Sequence, residues 1–82
     1  MKDIVLYTRR GCHLCEQVEE MLAFHAPGAA VRECGDSPAW ERAYGLRVPV
    51  VVVDGVVVIE GLFDEPALVQ ALAGKPAPTV RD

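Results

Sequence analysis

Four consecutive apolar residues, Ile4-Val5-Leu6-Tyr7, open the chain's first structured segment. A strand that is apolar on both faces must be covered on both sides, so it belongs in the middle of a layered α/β fold. After a polar loop ending in Gly11 the period changes. Leu14, Val18, Met21, Leu22 and His25 recur three or four positions apart, while Glu16, Gln17, Glu19 and Glu20 lie mostly between them. That spacing predicts an amphipathic helix from Cys12 to His25, with its acids in the half that the helix dipole favours. Ala26-Pro27-Gly28 ends it.

The rest of the chain continues the alternation. Ala29 to Cys34 reads as a second strand. Ser37-Pro38 supplies a helix N-cap with Pro at the first helical position, and the helix should run to about Tyr44 and stop at Gly45. Val48 to Val53 and Val56 to Glu60 read as strands joined by Asp54-Gly55, the dipeptide of a two-residue type I′ hairpin. Asp64 caps a last helix with Pro66 in its first turn and Leu68, Val69 and Leu72 facing inward; Gly74 and Pro76 end it. The expected order is β-α-β-α-β-β-α, a four-stranded mixed sheet with three helices. Residues 1–74 should form the domain and 75–82 a frayed tail.

An 82-residue chain makes one domain, and its 51% apolar content supplies the dense core that so short a chain needs. No apolar run reaches the roughly 18 residues of a membrane span. The N-terminus shows no signal-peptide pattern, so a cytoplasmic protein is expected. The net charge of −4, with acids and bases mixed, lacks the basic face that nucleic acid requires.

Three cysteines, at 12, 15 and 34, do not make a disulfide framework. Cys12 and Cys15 instead form a C-x-x-C at the predicted strand-to-helix junction. Free backbone N–H groups and the dipole there favour a thiolate, which is the nucleophile of disulfide exchange. Cys15 lies one turn on, placed to attack the mixed disulfide that Cys12 would form. Arg9 and Arg10 favour the ionised form of Cys12 and Glu16 opposes it. A protonated His13 would add to that tuning; its simpler reading is a solvated residue. C-x-x-C can also be half of a zinc site, but Cys34, His13 and His25 stand at no finger-like spacing. The residue after Cys15 is Glu16, not the His of haem attachment. Cys34 reads as a small buried hydrophobe. Trp40 and Tyr44 share a helix face that suits core packing.

The run Leu6-Tyr7-Thr8-Arg9-Arg10-Gly11-Cys12-His13-Leu14-Cys15-Glu16 resembles the active-site segment of small bacterial glutaredoxin-like proteins of the thioredoxin superfamily. Tyr44-Gly45-Leu46-Arg47-Val48-Pro49-Val50 resembles their cis-proline segment, and Asp54-Gly55 with Glu60-Gly61 their terminal hairpin. The resemblance implies a thioredoxin-like fold and dithiol–disulfide exchange at Cys12 and Cys15. It further implies a cis Val48–Pro49 bond whose flanking backbone pairs with substrate. Arg9, Arg47, Val48, Pro49 and Gly61 become candidate substrate-binding residues, with Arg9 matching a position that contacts the glutathione carboxylate. His13 and Arg10 would tune the nucleophile. Expected partners are protein disulfides or glutathione mixed disulfides, with a reductase or glutathione as electron donor. No cofactor is implied beyond glutathione as a co-substrate, and a monomer is expected. The alternative is a metal or iron–sulfur carrier using the same two cysteines.

The departures bear on glutathione. Glutaredoxins often read Cys-Pro-Tyr-Cys where this chain has Cys-His-Leu-Cys, and their Gly-Gly turn is Glu60-Gly61-Leu62-Phe63 here. The buried acid and the tryptophan that thioredoxins carry before their first cysteine are also missing.

Overall fold

The computed structural model describes residues 2–74; the expected tail, 75–82, lies outside the described residues. Its elements are β1 (Ile4–Thr8), α1 (His13–His25), β2 (Ala30–Glu33), a 3-10 turn (Cys34–Asp36), α2 (Pro38–Tyr44), β3 (Val50–Val53), β4 (Val56–Glu60) and α3 (Glu65–Leu72). They form one four-stranded sheet in the order β2-β1-β3-β4. β1 pairs with β2 in parallel and with β3 antiparallel, and β3 pairs antiparallel with β4. This is the predicted order, with β1 inside the sheet as its unbroken apolar run requires.

Alternation along β1 divides the core. Leu6 points into a cluster with Val18 and Leu22 of α1, Val51 of β3, and Leu68 and Ala71 of α3. Val5 and Tyr7 point the other way, into a cluster with Cys34, Val50 and Val52 that Trp40 and Tyr44 of α2 cover. The sheet is thus sandwiched between α1 and α3 on one face and α2 on the other. Leu6, Leu22 and Leu68 are essentially inaccessible, each gaining about 1.5–3 kcal/mol from burial. Tyr7 stacks on Tyr44 at 4.3 Å between ring centroids and meets Trp40 edge-on at 5.8 Å, so the aromatic face of α2 is core.

The local signals act where the sequence places them. The side chain of Ser37 accepts from the Trp40 amide at 3.3 Å, and Asp64 Oδ1 accepts from the Ala67 amide at 3.1 Å. Asp54 and Gly55 both take positive φ, 52° and 83°, as the tight hairpin demands. Asp54 also accepts from the Asp3 amide at 2.8 Å, pinning the hairpin to the start of the chain.

Four details differ from expectation. Cys12 is the N-cap of α1 and not its first residue. β2 stops at Glu33 because the chain turns at Cys34. β3 begins at Val50, after Val48–Pro49, since proline has no N–H to give a ladder. In α3 the inward residues are Ala67, Leu68, Ala71 and Leu72, while Val69 is 42% exposed. Two alanines share the inward face with the two leucines, and Val69 falls on the solvent side.

Candidate active site

Register gathers the chemistry at one end of the sheet. Tyr7 lies beside Val50, and Val50 beside Glu60. The C-terminal end of β1 therefore meets the entry to β3 and the exit from β4. The Cys12 loop, Val48–Pro49 and Gly61 all leave the sheet there. Thr8 lies beside Glu33, which brings Cys34 to the same end.

The cysteine loop is tied down by its backbone. The Cys12 amide donates to the Arg9 carbonyl at 3.2 Å, and Gly11 takes a φ of +82° that favours glycine. The Arg10 amide donates to Glu33 Oε2 at 3.1 Å, fastening the loop to the end of β2. Cys12 then caps α1 through its sulfur, which accepts from the Cys15 amide at 3.1 Å. Cys12 is partly exposed and Cys15 is buried. Burial pushes the Cys15 thiol up to about 12, with its hydrogen bond to Cys12 adding to the effect. Burial also raises Cys34, with nearby Glu41 adding and Arg9 opposing.

The cis-proline loop is equally fixed. Val48–Pro49 is cis. The Pro49 carbonyl accepts from the Gly61 amide at 2.9 Å, joining this loop to the turn after β4. Gly61 takes a φ of +78°, so a glycine is favoured there.

Two of the basic candidates, Arg9 and Arg47, are engaged within the fold. The Arg9 guanidinium donates to Glu41 Oε2 at 2.5 Å and to the Gly45 carbonyl at 2.9 Å. It thereby serves the C-terminus of α2, where a cation suits the dipole. Arg47 grips Glu60 with two nitrogens, at 2.7 and 2.8 Å, and donates a third bond to the Ala43 carbonyl at 3.1 Å. This pairing lowers Glu60 below the usual carboxylate range. His13 points into solvent, 98% exposed, with Nδ1 3.6 Å from Glu16 Oε1. The Arg10 guanidinium has no carboxylate partner among the described residues.

Glu33, Glu41, Gly45 and Glu60 are parts of the site that sequence reasoning missed. Their contacts join distant segments, so no local motif announces them. A Cβ on Gly45 would lie 2.6 Å from Arg9 Nη2, from the Glu41 carbonyl and from Glu41 Oε2. Glycine is needed there for close approach, with an ordinary helical φ of −55°. Among the described residues no group of three or more His, Cys, Asp or Glu side chains is placed to hold a metal ion.

The family model for the glutaredoxin-like domain (DUF836) matches residues 3–73. The chain belongs to that family. This glutaredoxin-like domain is similar to the protein XcR50 of X. campestris, whose X-ray structure aligns at 40% identity and a TM-score of 0.77, covering 89% of this chain and 99% of that one. It is similar to protein Ne2328 of Nitrosomonas europaea at 25% identity and a TM-score of 0.67, covering 82% and 86% of the two chains. The holo form of glutaredoxin C1 from Populus tremula x tremuloides shares the fold at a TM-score of 0.51 and 19% identity, over 67% of this chain and 62% of that one. No curated protein sequence matches. With these neighbours, the sheet and its three helices are a thioredoxin-like α/β fold. No described helix is long and apolar enough to cross a membrane.

Proposed function

We propose that this glutaredoxin-like domain is a dithiol–disulfide oxidoreductase. The observation that carries the reading is the unequal placement of two sulfurs one helical turn apart: Cys12 partly exposed at the helix N-cap, Cys15 buried behind it.

The sulfur of Cys12, as thiolate, attacks one sulfur of a substrate disulfide. A Cys12–substrate bond forms, the substrate S–S bond breaks, and the other sulfur leaves as a thiolate that takes up a proton. Cys15 then gives up its proton and attacks Cys12. A Cys12–Cys15 disulfide forms and the second substrate thiol is released. Two electrons pass to the substrate, and the protein's dithiol becomes a disulfide. A reductase dithiol or two glutathione thiols would restore it. The high proton affinity of Cys15 keeps it from competing for the first attack. The residue before a proline favours an extended backbone, so Val48, beside the Pro49–Gly61 bond, suits main-chain pairing with a substrate strand.

The test is reduction of a model protein disulfide by the wild type and by Cys12→Ser, with dithiothreitol as donor. Cys12→Ser should fall to the rate of dithiothreitol alone. Undiminished activity in that variant would refute the mechanism.

A further inference from the structure

Two of the three arginines beside the sulfurs, Arg9 and Arg47, are already paired with carboxylates. Glutathione presents two carboxylates and one ammonium, and binding it through charge needs cations free to pair with them. Four cationic or titratable bases flank the cysteines and the Pro49 loop: Arg9, Arg10, His13 and Arg47. Arg9 is held by Glu41 and the Gly45 carbonyl. Arg47 is held at two points by Glu60. His13 lies beside Glu16. The Arg10 guanidinium alone has no carboxylate partner among the described residues. Two leucines on the same loops are exposed. Leu46, at the start of the Pro49 loop, is 98% exposed, and Leu62, beside Gly61, is 84% exposed.

From these ion pairs and exposed leucines we infer that the site selects polypeptide disulfides with uncharged, apolar flanks over glutathione mixed disulfides. Glu60 and Glu41 are the specificity-determining residues. The inference rests on the redox reading above and names its substrate class. Cys12 can attack either sulfur of a glutathionylated substrate: attack on the glutathione sulfur bonds glutathione to Cys12 and releases the peptide thiol, and attack on the peptide sulfur releases glutathione as the thiolate. To hold the tripeptide by charge at Arg9 or Arg47, its carboxylates would have to displace Glu41 or Glu60. A polypeptide disulfide makes no such demand. Its backbone pairs at Val48, and its apolar side chains cover Leu46 and Leu62, taking exposed apolar surface out of water.

The experiment uses one peptide in two forms: as an internal disulfide with apolar flanks, and as a single-cysteine version carrying glutathione. kcat/KM is measured for both with the wild type, Glu60→Gln and Leu62→Lys. The wild type should prefer the internal disulfide. Glu60→Gln, which frees Arg47 of its counter-charge without changing side-chain shape, should shift the ratio toward the glutathionylated form by at least about threefold. Leu62→Lys, at a solvent-exposed position that no fold contact needs, should shift it the same way. A wild type that prefers the glutathionylated peptide, or a ratio unmoved by both variants, overturns the inference and leaves the redox reading standing. A wild type that reduces neither peptide overturns both.

Discussion

The Cys15 amide donates to the sulfur of Cys12 across 3.1 Å, so the first turn of α1 points a backbone donor at the sulfur that solvent can reach. The two thiols differ in exposure, and burial raises the pH at which Cys15 gives up its proton. Limited carboxymethylation of the reduced protein at about pH 8 should therefore label Cys12 well ahead of Cys15 and Cys34. Peptide mapping reads the outcome, and equal labelling of the three would contradict the asymmetry.

The raised thiols also set a pH dependence. In the unfolded chain Cys15 ionises near 9, while in the folded protein it holds its proton to about 12, and Cys34 shifts the same way. Above pH 9 the unfolded state thus carries fewer protons than the folded one, and stability falls as pH rises. The contribution is fully present below the unfolded value and is lost as the pH climbs toward the folded one. Denaturation midpoints of the reduced protein should decline from pH 9 upward, and Cys15→Ala should flatten that decline.

Gly45→Ala should destabilise by about 1–3 kcal/mol through overpacking. The added Cβ would meet Arg9 and Glu41, including a backbone oxygen that cannot rotate away. Because φ at this position is −55°, backbone strain contributes nothing and the loss is steric. Urea unfolding measures it. Gly55→Ala tests the opposite cause: open space surrounds that position, but its φ of +83° costs an L-residue about 1–2 kcal/mol.

Leu68→Ala should cost about 2–5 kcal/mol, because Leu68 is fully buried between α3 and the sheet. Val69→Ala, one position on, should stay within about 0.5 kcal/mol. Thermal unfolding of the pair reports which face of α3 meets the core.

Much of the fold was legible because its signals are local. Ser37, Asp54-Gly55 and Asp64 each act within a few residues of themselves, and the β1 run states its own burial. The cis Val48–Pro49 bond came through family resemblance, which carries tertiary information that spacing lacks. The ion pairs escaped the sequence for a physical reason. Arg9 and Glu41 are 32 positions apart, Arg47 and Glu60 13 apart, and both pairs meet only once the sheet register is set. Arg9 accordingly read as a ligand contact or a solvated loop charge, with no sign that it also holds the end of α2. Val69 was misplaced because its hydrophobicity was read as burial, whereas Ala67 and Ala71 complete the inward face with Leu68 and Leu72.

The most direct measurement is capture with Cys15→Ser. Mixed with a model disulfide protein, this variant should accumulate a covalent complex that reductant dissolves, and mass spectrometry should place the bond on Cys12. The same protein carrying Cys12→Ser as well should capture nothing. A complex joined through Cys34, or no complex at all, would contradict the assignment of Cys12 as the attacking sulfur.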